Sequence, residues 1–264
     1  MTLRLSIISS ALVATRVGFG GSVAIVLAAA QAVGATAAQS SSWVAALCLV
    51  MAVTSATLGW MHRIPAITAW STPGAALIAA TSGITMEMAV GAFLLAAALI
   101  IITGLIKPLG TLIARIPAAI ASAMLAGVLV RFVTAVLDVL PQMPALVLPM
   151  VAAFFVIRLF SPSAAVLVVL AAGAILTFAL GLNDPVTGVL RLPDMQIITP
   201  VFDPAVLVGL GLPLYLVTMA SQNLPGFAVL KAAGYEPPVR SSLLVTGIAS
   251  FVTAPFGAHT ANMA

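Results

Sequence analysis

Ile64-Pro65-Ala66-Ile67-Thr68-Ala69-Trp70-Ser71-Thr72-Pro73-Gly74-Ala75 is apolar enough to enter a membrane, yet it cannot run as a smooth helix. Pro73 withholds a backbone donor and disfavours the helical conformation at Thr72, and Gly74 lets the chain turn freely. A second stretch, Ala254-Pro255-Phe256-Gly257-Ala258-His259-Thr260-Ala261-Asn262, is interrupted by the same residue types. Broken backbone at membrane depth is tolerated only where protein or a watery cavity satisfies its polar groups. Two such segments in matching places of a chain point to a binding site between them.

The surrounding composition is that of a membrane protein. Of 264 residues 62% are hydrophobic and 6% charged, and the mean hydropathy is +1.26. A soluble domain is about a quarter charged, and so little polar surface cannot coat a particle of this size in water. The high pI, near 10.0, comes from only ten Lys/Arg against six Asp/Glu. These bases are scattered, so they act as orientation signals and not as a nucleic-acid patch. The single cysteine, Cys48, excludes a disulfide framework or a cysteine-built metal cluster.

A crossing helix needs about 20 mostly apolar residues. Spans are expected at 17–38, 43–61, 64–82, 87–106, 117–140, 144–159, 162–182, 204–224 and 239–254, with a tenth opening at Pro255. A cytoplasmic N-terminus collects Arg4, Arg16, Arg63, Lys107, Arg115, Arg158, Lys231 and Arg240 inside, and only Arg191 outside. That asymmetry supports both the count and the orientation. Glu87 reads as a capping or solvated carboxylate, and Arg131, within the fifth span, as a structural partner of Asp138 or a lipid-headgroup contact.

The chain also repeats itself. Val17-Gly18-Phe19-Gly20 recurs as Val208-Gly209-Leu210-Gly211, and the same offset of 191 positions carries Gln31 onto Gln222. Pro65 and Pro255 open the two broken segments at nearly that offset. Seven spans separate the copies, so the second must point the other way through the bilayer, as in many secondary transporters. The glycine pairs are expected to let the first and eighth spans cross tightly.

Ala220-Ser221-Gln222-Asn223-Leu224-Pro225-Gly226, then Gly234-Tyr235-Glu236-Pro237-Pro238 and Ala254-Pro255-Phe256-Gly257-Ala258-His259, resemble the benzoate–proton symporter (BenE-type) family along the whole chain. That family is similar in fold to the nucleobase permeases and sulfate-type anion transporters. The resemblance implies an all-α polytopic membrane protein of seven plus seven helices in inverted repeats, with core and gate domains. The core's first repeat would be 1–113, the gate's first repeat 114–185, an extracytoplasmic connection 186–203, and the core's second repeat 204–264. Family members carry further spans after the tenth, whereas this chain stops at Asn262-Met263-Ala264. The resemblance therefore implies missing C-terminal spans and a function that belongs to the complete protein.

It also implies proton-coupled uptake of benzoate or a related aromatic carboxylate, in an inner (plasma) membrane of bacterial type, with no cofactor. The partners implied are the acid, a proton, membrane lipids and, by analogy of fold, a second copy in a homodimer. Substrate would lie between half-helices of the third and tenth spans, which places Ser71, Thr72 and Asn262 at donor positions. Ser221, Gln222 and Asn223 of the eighth span and Gln31 of the first join them. His259 is the proton-coupling candidate, because an unperturbed imidazole titrates near physiological pH. The glutamates of the nucleobase relatives are absent from the matching spans, since Glu236 falls in a loop.

Each residue also has a plainer reading. Ser71 and Thr72 hydroxyls can bond backbone released by Pro73, Ser221-Gln222-Asn223 can cap a helix end before Pro225-Gly226, and His259 can bond across helices as a neutral ring. Within the transporter class, a nucleobase or inorganic anion remains an alternative. A passive channel or intramembrane enzyme is a different class. The enzyme would require paired acids, a metal-ligand cluster or an activated nucleophile, and no Asp-rich motif, His-x-x-x-His or Gly-x-Ser-x-Gly occurs.

Overall fold

The computed structural model describes residues 5–106, 130, 133–134, 136–182 and 193–264. They fall into two compact units, one of Met1–Ala24 with Val130–Arg191 and one of Ile25–Leu129 with Leu192–Ala264. Most of the fifth expected span, including Arg131, lies outside the described residues, as do Asp184 and Arg191.

In the first unit, α5 (Pro144–Phe160) and α6 (Pro162–Ala179) meet at Ser161, whose hydroxyl caps α6 by accepting from Ala164 N. A Cβ on Gly173 would lie 2.8 Å from Met150 Cε, so glycine there lets α6 approach α5. A Cβ on Gly20 of α1 (Leu5–Ala32) would lie 3.0 Å from Leu170 of α6.

The second unit begins in the later part of α1 and continues through α2 (Ala37–His62), β1 (Thr68–Trp70), α3 (Thr72–Ala79) and α4 (Met86–Leu105). It resumes with α7 (Pro204–Ala232), α8 (Val239–Thr253), a 3-10 turn at Ala254–Phe256 and β2 (Ala261–Met263). Thr36 and Gln39 form a reciprocal capping box at the start of α2. Thr85 caps α4, leaving Glu87 in the first turn, where a carboxylate complements the helix dipole. Among the described residues four helical stretches, Ala37–His62, Met86–Leu105, Pro204–Ala232 and Val239–Phe256, are long and apolar enough to cross a membrane.

One expectation about these helices is corrected. The eighth span does not end at 224: α7 runs through Pro225 to Ala232. It does so by forming π-turns at Leu207–Gly211 and Met219–Asn223, each followed within two residues by a proline, Pro213 and Pro225. Proline lacks the N–H an α-turn needs and its ring crowds the carbonyl four residues back. A π-turn widens the helix there, and Leu212 N and Leu224 N instead reach five residues back to Leu207 O and Met219 O. Of the repeated glycines in α7, Gly209 has open space where a Cβ would sit, and Gly211 faces Ala92 and Leu95 of α4.

The third span is broken, as its sequence requires, but the break lies earlier than Pro73. An extended segment leads to Ser71, which caps α3, and Thr72 and Pro73 form its first turn. Proline is tolerated there because its missing N–H would have no intrahelical partner. The segment after Pro255 is likewise no helix. It makes a 3-10 turn, reverses at Gly257 (φ 92°) and extends into β2.

β1 and β2 pair antiparallel with Ala69 opposite Asn262, flanked by Ser71 N to Thr260 O (2.9 Å) and Ala264 N to Ile67 O (3.0 Å). A two-stranded ribbon has two edges, and unpaired edge amides are costly in hydrocarbon. Side chains from three helices act as the missing strands. Ser55 Oγ of α2 accepts from Thr68 N (3.0 Å), Ser250 Oγ of α8 from Ala261 N (2.9 Å), and Asn223 Oδ1 of α7 from Met263 N (3.0 Å). Ser250→Ala should therefore destabilise the protein by about 1–3 kcal/mol by stranding a buried N–H. Thermal unfolding in detergent would show this, with Ser250→Thr, which retains the hydroxyl, close to wild type.

Candidate functional site

The ribbon, the start of α3 and the second π-turn of α7 bring most of the expected polar residues into one buried cluster. Ser71 is fully buried, and its Oγ accepts from Gly74 N (3.1 Å) and from Thr218 Oγ1 (3.0 Å). Thr218 also meets Thr260 Oγ1 at 2.7 Å. Since the Thr218 proton goes to Ser71, Thr260 donates to Thr218, and the hydroxyls form a directed chain ending on Ser71. The Ser71 hydroxyl has both acceptor positions filled, so its own proton points elsewhere, and a chain of this kind strengthens the terminal donor.

The first turn of α3 is nearly spent as an anion site. Gly74 N is capped by Ser71, Pro73 has no N–H, and Ala75 N bonds Ser71 O (2.8 Å). Thr72 N–H is the amide of that turn for which no described group is a partner, and Thr72 is half-buried. What a helix N-terminus can offer an anion is thus reduced here to Thr72 N–H beside the Ser71 hydroxyl.

His259 joins the two broken segments. Trp43 Nε1 can only donate, so the 3.0 Å contact makes His259 Nδ1 the acceptor and puts the ring proton on Nε2, which donates to Ser71 O at 3.0 Å. Both nitrogens of the neutral ring are engaged, and taking up a second proton would require giving up the Trp43 bond. Phe93 and Trp43 pack around the imidazole with ring centroids at 6.3 and 5.8 Å. Gly257 permits this approach: its φ is positive and a Cβ would lie 3.2 Å from Trp43 Cβ.

The turn before His259 is held by the connection that precedes α7. Ser42 Oγ donates to Phe256 O (3.0 Å) and accepts from Gln196 N (2.9 Å), and Ile198 N donates to Pro255 O (2.7 Å). That extended connection is further tied to α4 through Val201 N and Glu87 O (2.9 Å).

Of the remaining expected residues, Asn262 is buried in β2, not at a half-helix end; its Nδ2 donates to Met263 O (2.8 Å) and its Oδ1 has no partner among the described residues. Asn223 is buried and committed to Met263 N and Met219 Sδ. Ser221 is buried and Gln222 half-buried in the same π-turn. The helix-end reading of this trio does not hold, because α7 continues past it. Gln31 is not brought in: it lies exposed in the last turn of α1.

Sequence reasoning missed Thr218, Thr260 and Trp43. The available signals were Thr218, a hydroxyl in the mostly apolar run that also holds Tyr215, and Thr260 beside His259 in the broken segment. An apolar groove of about 390 Å³ between α2 and α8, lined by Leu49, Val53, Val245, Ile248 and Val252 beside Thr54, offers a carboxylate almost nothing to bond.

A family model described as benzoate membrane transport protein, BenE, matches residues 2–264. Over 253 residues the chain is 39% identical to the inner membrane protein YdcO of Escherichia coli (strain K12), covering 95% of this chain and 64% of that protein. Over 252 residues it is 32% identical to the benzoate membrane transport protein of Acinetobacter baylyi, with the same coverage of 95% and 64%. The chain thus spans just under two thirds of the length of these curated relatives.

Proposed function

Because the chain belongs to the BenE benzoate membrane transport family, an inner-membrane transporter family and not an enzyme family, we propose that it forms part of a secondary transporter for benzoate or a related aromatic carboxylate. Uptake is coupled to protons and proceeds by alternating access, with the N-terminus in the cytoplasm. The fold is a seven-plus-seven inverted repeat in which 1–113 and 204–264 belong to the core and 114–185 to the gate, joined by 186–203.

The observation that carries this reading is the pseudo-symmetric ribbon. Ala69 and Asn262, the central residues of the two strands, face each other, and Ser55 of α2 and Ser250 of α8 cap the first residue of each strand. A two-fold axis in the membrane plane relates elements in this way, as inverted repeats demand. The Ser71 hydroxyl and Thr72 amide at the start of α3 supply neutral donors for the carboxyl group. Ser221 and Gln222 line the adjoining part of α7. Asn223 and His259 position the ribbon.

The test is uptake by the intact protein in proteoliposomes under an imposed pH gradient, with a panel of aromatic acids and nucleobases. Benzoate or a close analogue is expected to be accumulated; a nucleobase in its place would move the substrate to that class. Thr72→Val, nearly isosteric, should weaken affinity about tenfold if the hydroxyl shares in binding, since one such bond is worth about 1–1.5 kcal/mol. Unchanged affinity would remove the Thr72 side chain from the site.

A further inference from the structure

The ribbon carries a donor and an acceptor on one face. Residues of hydrogen-bonded antiparallel pairs project to the same side, so Ser71, Ala69, Thr260 and Asn262 share a face. The contact of Thr218 with both Ser71 and Thr260 hydroxyls agrees with that placement. The Ser71 O–H and Thr72 N–H lie at one end. At the other is Asn262, fully buried, with Oδ1 lacking a partner among the described residues. The bond from Nδ2 to Met263 O fixes which way round this amide sits, because the flipped form would set two acceptors against each other. Ala69, small and half-buried, lies between.

An ionised carboxylate is acceptor-only, so it would satisfy Ser71 and Thr72 but present a negative oxygen to Asn262 Oδ1. A protonated carboxyl matches both ends: its C=O accepts from Ser71 and Thr72, and its O–H donates to Asn262. No opposing charge is available to a buried anion among the described residues. The ionisable groups on the ribbon and the elements packed on it are His259 itself, Cys48 and His62 of α2 with Arg63 at its C-cap, Tyr215 and Lys231 of α7 and Arg240 of α8. Arg63, Lys231 and Arg240 are exposed, His62 lies at the end of α2, Tyr215 is bonded to Thr103 (2.6 Å), and His259 is engaged at both nitrogens. Burying an unpaired carboxylate there would cost far more than burying the neutral acid.

We propose that this face takes its carboxylic acid in the neutral, protonated form, so that one proton crosses on the substrate itself and no side chain need carry it. The acid gains its proton from the aqueous phase before entering and releases it after leaving; no other bond changes. The proposal rests on the aromatic-carboxylate reading above.

Binding to the intact protein, measured by calorimetry between about pH 5.5 and 8, separates the neutral from the ionised form, with benzamide as a neutral analogue that has the same donor and acceptor. Affinity for total benzoate should fall about tenfold per pH unit, because the carboxyl pKa lies near 4 and only the minor neutral fraction binds. Benzamide should bind with pH-independent affinity, and Asn262→Leu should weaken it tenfold or more. Benzoate binding that does not change with pH, with no benzamide binding, overturns the proposal and leaves the transport reading standing. If neither compound binds at any pH, the aromatic-carboxylate reading falls and the proposal with it. The wild-type measurements decide the matter even if Asn262→Leu does not fold.

Discussion

His259→Leu is expected to destabilise the protein by about 2–4 kcal/mol, because it strands one buried donor at about 1–3 kcal/mol and removes a second hydrogen bond worth about 0.5–1.5 kcal/mol. Trp43 Nε1–H would lose its partner and cannot reach water in the packed surroundings of Phe93 and Met86, whereas Ser71 O would keep its bond from Ala75 N. His259→Gln keeps one donor and one acceptor on a side chain of comparable reach, so it should recover most of that stability. Thermal unfolding measures the first effect, and proton-driven uptake distinguishes the roles of the ring. If the imidazole only positions the ribbon, His259→Gln retains gradient-driven accumulation within a fewfold of wild type. Loss of coupling in a well-folded His259→Gln protein would instead assign the proton to the histidine.

The second large effect is expected at Gly226. A Cβ there would lie 2.8 Å from Met263 Cβ and 3.1–3.2 Å from the Met263 carbonyl, so the obstacle is a strand backbone and not a flexible side chain. Gly226→Val should push β2 away from α7, break the bond between Asn223 Oδ1 and Met263 N, and cost about 2–4 kcal/mol from overpacking and the stranded amide. Gly209→Ala is the contrasting variant. Gly209 is exposed, with nothing within 4 Å of the added methyl, and alanine favours the helix by up to about 1 kcal/mol. Unfolding temperatures should therefore move in opposite directions for these two glycines of the same helix.

Sequence alone does not tell this pair of glycines apart. Both lie in stretches of small and apolar residues, and only the proximity of β2 distinguishes them. The break in the third span was legible, because Pro65, Pro73 and Gly74 cannot all sit inside one helix. Its form was not: three-residue strands carry no periodic signal, and Pro73 reads equally as a breaker or as the opening of α3. Pro225 misled in the opposite sense, since local rules end a helix there while the packed α7 absorbs the proline in a π-turn. Ser71, Asn262 and His259 could be picked out as polar residues in broken segments. The partners that define them could not, because Trp43, Thr218 and Ser250 sit within otherwise ordinary apolar helices.

Hydropathy alone determined that this chain belongs in a membrane and that two of its apolar stretches are interrupted, because the cost of a polar backbone in hydrocarbon acts on each segment separately. The strand register, the direction of the hydroxyl chain on Ser71, the neutral His259 tautomer and the lone Asn262 oxygen were decided by the tertiary structure. Each depends on which donor meets which acceptor across helices distant in sequence, and no local preference encodes that meeting.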